Sequence, residues 1–500
     1  MRGLISSAAA LACAALVVLG CNGDESSGGA LESALAYVPA ETPFAVAIDT
    51  DVEGGQYESL DQILGRFPGG DSIKQSLRQQ LEQGSEGVSY EDDIRPLLGN
   101  PFVVSATDPA SFVSGSGDTD FVAAVQVEDT DALDGLVDKT NPDEQGEVAG
   151  ATVYEDDGTF FAVEDDMVVL AGSQDVLESA LERADGDDHL DEEAFENSLE
   201  GLPDDALARI YLDLQALLEQ DPSTETARRV EWVGALRTLG MTASADGDDA
   251  VEVEFNLRTQ GDGLGEDDLP LAAGDEAPGV VRVPGEIGVG LRDPSQVIDF
   301  FESTFQTLDP EGFGDYETGK QAVAQQFDID VDEDLFGQLT GDLSVSVAVD
   351  GSFAARAEVG DPAAFGRTVD RVAEALPQLG SGLGVTDVRR RGDFYEARLA
   401  NGGGFAFGMS GDVFVAASNA ARAREFGSQE PEDVPDASGS LATAADAQQV
   451  AAQLLEQIGP QLGLGGILGG GIFARPLDEV TGSVATNPDG MQGSFRLTFD

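Results

Sequence analysis

The sequence predicts an α+β protein of two similar domains, each a curved antiparallel sheet covered by helices. Three observations carry that prediction. Short stretches alternate apolar and polar or small residues, as in Phe44-Ala45-Val46-Ala47-Ile48 and Ala250-Val251-Glu252-Val253-Glu254-Phe255, which is the period of half-buried strands. Asp-Gly turns such as Asp157-Gly158 and Asp489-Gly490 join successive strands directly and favour antiparallel pairing. Blocks of the first half also return, in the same order, in the second.

Taken from the N-terminus, the chain opens with one charge, Arg2, and an apolar stretch from Leu4 to Leu19. That stretch is too short and too Ala-rich for a membrane span and reads as a signal peptide over residues 1–20. Val18-Leu19-Gly20-Cys21 places small residues before a thiol, as diacylglycerol transfer and cleavage require. Cys21 is therefore the expected lipidation site and first mature residue; Cys13 leaves too little apolar sequence upstream. Lipidation there makes the protein an extracytoplasmic lipoprotein anchored to the cell membrane, since two acyl chains give a stable hold. Residues 21–33 read as anchor and flexible tether, and Asn22 to Gly29 would hold the body roughly 15–18 Å from the lipid.

Repeat 1 is expected over 34–259, an acidic Gly-rich linker over 260–278 and repeat 2 over 279–500. Val38-Pro39-Ala40-Glu41 is echoed by Val283-Pro284-Gly285-Glu286, and Phe121 to Val125 by Phe353 to Ala357. Leu97-Leu98-Gly99-Asn100 before Phe102 parallels Leu339-Thr340-Gly341-Asp342 before Leu343. Tyr154-Glu155 matches Tyr395-Glu396, the run Phe160 to Ser173 matches Phe405 to Ser418 without a gap, and Phe255-Asn256-Leu257 stands opposite Phe495-Arg496-Leu497. Each half reads as strand, long helical segment, two strands, short helix, three strands, helix, strand, helix and a closing hairpin. Helical spacing marks Ser59 to Gln83 and Val176 to Leu181, and helices are expected on one face of each sheet. In the linker, Gly261, Gly263, Gly265 and six acids offer nothing to bury.

Charge bounds the partners. The chain carries 95 acids against 26 basic residues, a net of −69, and loss of residues 1–20 removes only Arg2. Nucleic acid and anionic membrane surfaces are repelled, while divalent cations are attracted to the acidic surface. Self-repulsion should weaken the fold at low ionic strength. Hydrophobic residues make up 41%, enough for packed cores in two or three domains. With Cys21 lipidated and Cys13 removed, no cysteine remains for an intramolecular disulfide.

Catalytic machinery is conspicuous by its gaps, so no catalytic residue and no cofactor are assigned. The sole histidine, His189, sits in the charge run Asp185 to Glu193 and reads as a surface loop residue. There is no Gly-x-Ser-x-Gly elbow and no Ser three residues before any of Lys74, Lys139 or Lys320, against serine hydrolase mechanisms. Composition excludes zinc sites built from His and Cys. Gly314 to Gln321 has the Gly and Lys spacing of a phosphate loop, but Gln321 lacks the hydroxyl that holds Mg²⁺, and Asp315 and Glu317 repel phosphate. Asp328, Asp330, Asp332 and Asp334 begin like a calcium loop, yet Glu333 replaces the turn glycine and Leu339 the bidentate Glu. They remain a weak Ca²⁺ candidate. Leu462 to Phe473, apolar, glycine-rich and uncharged, is too short to span a bilayer and reads either as a mobile apolar flap or as a buried connection.

Ala36-Tyr37-Val38-Pro39-Ala40-Glu41-Thr42-Pro43, Asp93-Ile94-Arg95-Pro96-Leu97-Leu98-Gly99 and the Phe160 to Ser173 block together resemble the bacterial family filed as domain of unknown function 3352. The resemblance implies an exported or membrane-anchored protein and brings no functional residue with it. The functional expectation is a non-enzymatic binding module for an apolar ligand or lipid. Two alternatives stay open: a structural or interaction protein of the cell envelope with an acidic, cation-binding surface, and a carboxylate-based hydrolase.

Overall fold

The computed structural model describes residues 28–500 apart from 73, 76–77, 79–86, 109–119, 157, 262 and 459–473. Two compact units make up the chain. Of the described residues, the first holds those within 28–222, 237–258 and 499–500, and the second those within 223–236 and 259–498. Residues 223–236 and the last two residues are exchanged between the N- and C-terminal halves of the chain.

Unit 1 is built on ten strands: β1 (Phe44–Ile48), β2 (Phe102–Ala106), β3 (Phe121–Gln126), β4 (Asp143–Val148), β5 (Ala151–Asp156), β6 (Thr159–Glu164), β7 (Met167–Ala171), β8 (Ala208–Asp213), β9 (Leu236–Asp246) and β10 (Ala250–Thr259). Their pairings give the order β4-β5-β6-β7-β3-β2-β1-β8-β9-β10. Unit 2 contributes β11 (Glu286–Leu291), β12 (Leu343–Ala348), β13 (Phe353–Glu358), β14 (Val385–Arg391), β15 (Phe394–Leu399), β16 (Gly404–Ser410), β17 (Val413–Ala417), β18 (Leu441–Asp446), β19 (Leu477–Asn487) and β20 (Gly490–Phe499). They follow the same order, β14-β15-β16-β17-β13-β12-β11-β18-β19-β20.

Strand register corrects one sequence correspondence. Val122 pairs with Ala171, and Ala354 with Ala417; Phe160 pairs with Ala171, and Ala406 with Ala417. Ala171 thus corresponds to Ala417 and Ser173 to Asn419, one residue beyond the match drawn from Phe405 to Ser418. The helix caps agree: Ser173 accepts from the Val176 amide at 3.4 Å and Asn419 from the Arg422 amide at 3.0 Å. Matching Phe to Phe and Ser to Ser is misleading here, and a one-residue slip turns every side chain to the other face. With the register set, Tyr154 stacks on Phe161 at 5.1 Å and Tyr395 meets Phe407 at 5.7 Å, equivalent pairs in the two sheets.

Helices sit on more than the single face expected. In unit 1, Ala45, Ala47, Val103, Val122, Ala124, Val169 and Ala171 form one sheet face. It is covered by Leu31, Ala34 and Leu35 of helix Gly28–Leu35, by Leu177, Ala180 and Leu181 of helix Gln174–Ala184, and by Phe195 of helix Glu192–Ser198. In unit 2, helix Ala420–Gly427 packs Ala420, Ala423 and Phe426 on one face, while helix Pro362–Leu383 packs Phe365, Val369 and Ala373 on the other. The reason lies in the strands, which are apolar or small on both sides and need cover on both.

Two boundary expectations change. The expected tether runs to residue 33, but the helix begins at Gly28 because Leu31, Ala34 and Leu35 recur at helical spacing and bury fully, leaving them 1%, 0% and 1% exposed. Residues 260–278 belong to unit 2 rather than forming a free linker. Leu269 is fully buried, and Gln296 Nε2 donates to the carbonyls of Glu266 and Leu269 at 2.8 Å each.

Candidate functional site

Cys21 and the apolar segment Leu462 to Phe473 lie outside the described residues. The acidic stretch does not close into a cage. Asp330 caps the helix Val331–Asp334, its Oδ1 accepting from the amides of Asp332 and Glu333 at 3.1 Å each. Asp332 turns to Lys320 Nζ at 2.9 Å, whereas Asp328 and Asp334 lie 3.5 Å and 3.2 Å from Arg371. Among the described residues no three acids, His or Cys converge on a common metal position. The phosphate-loop spacing is equally diverted: Gly314 to Gln321 lies inside helix Pro310–Phe327, and Lys320 pairs with Glu302 and Glu317 above the Tyr316 ring. His189 makes a strand bridge with Pro39, and its Nδ1 sits 3.0 Å from the Gly186 carbonyl.

A titrating group that the sequence did not single out lies at the end of β1. Asp49 donates its amide to Leu207 O and accepts Tyr57 Oη–H on its own carbonyl at 2.5 Å. Its Oδ1 takes the Asp51 amide at 2.9 Å. Burial is the main cause that pushes its carboxyl up to about 6, with Asp51 and Asp205 adding repulsion and Arg209 opposing them. Burial likewise raises Asp51 and lowers Arg209 from their ordinary values. The turn is tied down by Thr50, whose Oγ1 donates to Asn100 O at 2.6 Å and accepts from the Gly99 amide at 3.1 Å.

Two clefts carry charged or polar side chains. In unit 1, a cleft of about 670 Å³ runs between Gly29, Ala30 and Ser33 of the first helix and Asn100, Gln126 and Glu128. In unit 2, a cleft of about 310 Å³ is lined by Arg282, Glu286, Asp446, Gln449, Asp478 and Glu479 among others. Its acids already serve the fold. Glu286 receives both Arg422 guanidinium nitrogens and Ser346 Oγ. Glu479 pairs with Arg282, Asp446 caps its helix at the Gln449 amide (2.7 Å), and Asp478 accepts from Thr498 at 3.2 Å.

The apolar surface is distributed unequally. Every exposed large apolar side chain among the described residues belongs to unit 2: Ile287, Phe301, Leu308, Val347, Phe353, Leu454 and Phe495. Three of them form one row, because Ile287 pairs with Val347 across β11–β12 and Val347 with Phe353 across β12–β13. They are 42%, 41% and 36% exposed, whereas Phe44, Ala106 and Phe121, which hold the same register positions in unit 1, are 8%, 2% and 9% exposed. On the other face of β11, Gly288 and Gly290 leave room for a crossing segment: a Cβ would lie 2.5 Å from Val280 and 2.7 Å from Gly279 O. That face is sealed by Val280 and Val281, 0% and 1% exposed. The row could be found in sequence only once the strand register was known.

These features define a two-unit α+β protein in which one row of a sheet face, Ile287–Val347–Phe353, is left exposed. The chain belongs to the family described as "Protein of unknown function (DUF3352)", which matches residues 3–257. No curated protein matches it. Among solved structures it is similar to crystal forms III, IV and I of TP0453, at 10%, 10% and 13% identity and TM-scores of 0.26, 0.27 and 0.26. The matches cover 45% of this chain and 79%, 80% and 78% of those chains, at scores too low to equate the folds.

Proposed function

We propose that this is a lipid-anchored extracytoplasmic binding module whose second unit takes up an apolar ligand, an acyl chain or lipid, on the face of β11–β13. The carrying observation is the exposed row Ile287–Val347–Phe353, set against its buried counterpart in unit 1. The shared strand order fits a duplicated unit in which one copy keeps this face closed and the other offers it. Three side chains about 40% exposed present roughly 200 Å² of apolar surface, worth about 5 kcal/mol when fully covered. After the cost of immobilising a ligand, that supports weak capture, strengthened where the half-buried second row Val289, Val345 and Ala355 is also reached.

The test is native mass spectrometry of residues 22–500 mixed with phospholipid, comparing the parent chain with Val347→Asp/Phe353→Asp. Both positions are exposed, so the folded state should tolerate them. Apolar mass on the parent that disappears from the variant supports the reading. A parent chain that stays free of ligand at all lipid concentrations refutes it and transfers weight to an envelope interaction protein.

A further inference from the structure

We propose that β4 of one molecule and β14 of a second copy of this chain are complementary sheet edges that pair head to tail. The two strands occupy the same position in their sheets. Among the described residues β4 pairs only with β5, and β14 only with β15, so each leaves a row of backbone donors and acceptors unpaired.

Their charges are opposite. β4 reads Asp-Glu-Gln-Gly-Glu-Val and is exposed along almost its whole length. None of Asp143, Glu144 and Glu147 is ion-paired among the described residues. β14 reads Val-Thr-Asp-Val-Arg-Arg-Arg, a run of three arginines in a chain with 95 acids and 26 basic residues. Arg389 and Arg391 are 57% and 58% exposed while pairing with Asp387 and Glu396, and Arg390 lies over the Tyr395 ring at 5.5 Å. Surface pairs of that kind are weak, about 0–1 kcal/mol, and leave the guanidinium groups able to take further carboxylates.

Charged and bulged edges normally keep sheets from joining, and both strands carry an irregularity, at Glu144/Gly146 and at Val385/Asp387. Those charges forbid β4 against β4 and β14 against β14. They favour β4 against β14, and beyond the irregularities both strands are regular, from Gly146 to Val148 and from Asp387 to Arg391. Main-chain hydrogen bonds supply the affinity in such strand addition, and arginine–carboxylate contacts select the partner. Each copy carries a net charge of −69, so long-range repulsion must be screened, as it is where the Debye length falls to about 8 Å. A contact of one strand pair belongs with small, transient interfaces.

The experiment is sedimentation velocity of residues 22–500, which contain every described residue, from low concentration to on the order of 100 µM, at low and at physiological salt. The parent chain should gain mass with concentration at physiological salt, to at least about twice the monomer. R389E/R390E/R391E has two acidic edges and D143R/E144R/E147R two basic ones, and each alone should remain monomeric. Mixed in equal amounts they should associate again, because every acidic edge then meets a basic one; recovery in the mixture also certifies that both are folded. A parent chain that stays monomeric under all these conditions overturns the proposal. So does association that survives both reversals, or folded variants, by circular dichroism, that fail to associate when mixed.

Discussion

Replacing Asp49 by Asn should make unit 1 more stable, and more so at high pH. The folded carboxyl titrates near 6 against an ordinary 3.8, so between those values the folded chain holds a proton that the unfolded chain has released. The resulting penalty is absent below the unfolded value, grows as pH rises through the interval, and is complete above the folded value. At 1.36 kcal/mol per pH unit it amounts to about 3 kcal/mol at pH 8 and about 1.5 kcal/mol at pH 5. The Asp49→Asn change keeps the Oδ1 acceptor for the Asp51 amide but removes a carboxylate near Arg209, so the net gain should fall below that ceiling. The change between the two pH values is the sharper quantity. Because two units need not unfold together, the assay is amide hydrogen exchange of β1, β2 and β8, comparing variant and parent at the same pH so that intrinsic exchange cancels. The ratio of protection, variant over parent, should rise about tenfold from pH 5 to pH 8. An unchanged ratio would mean that Asp49 ionises in the fold as it does in the unfolded chain, and the burial argument would be wrong.

Arg422→Ala removes both guanidinium contacts to Glu286, which is 8% exposed, and should destabilise unit 2 by about 3–5 kcal/mol by leaving a buried carboxylate unpaired. Replacing both residues by Met should cost less than the single change in urea unfolding; a double variant no better than R422A would deny the pair its role. The net charge of −69 predicts a thermal midpoint that rises with NaCl and with Ca²⁺ as repulsion is screened. Differential scanning fluorimetry from about 10 mM to about 1 M salt, a range over which the Debye length falls from roughly 30 Å to roughly 3 Å, checks this, and a flat profile would contradict it.

Strand existence was legible because alternation in Phe44 to Ile48 and Ala250 to Phe255 is a local property of the chain. The two-sided cover was not: Ala354 and Ala355 look alike in sequence, and only pairing decides that the first packs under helix Ala420–Gly427 while the second lies opposite Ala416, on the face that packs with helix Pro362–Leu383. The helix starting at Gly28 was hidden by the flexible composition of the residues before it. Leu269 was hidden by the acids around it. Asp328 to Asp334 looked like a cation site because spacing alone does not reveal that capping and the pull of Lys320 and Arg371 aim the carboxylates apart. Asp49 has no sequence signature at all, since its altered titration comes from burial and from neighbours such as Arg209 and Asp205, far along the chain.

Where two sheets share one strand order, their differences are the better guide to function. In unit 1 the row Phe44–Ala106–Phe121 is buried, as core residues must be for a sheet to remain stable. In unit 2 the same positions hold Ile287, Val347 and Phe353, still large and apolar, yet more than a third exposed. A face with no occupant gains nothing from three such residues and risks aggregation; polar side chains would serve there at no loss to the fold. Three apolar side chains at these exposed positions, where the sheet of unit 1 buries its own, are the physical ground for assigning the proposed apolar ligand to unit 2 and not to the family-matched first half.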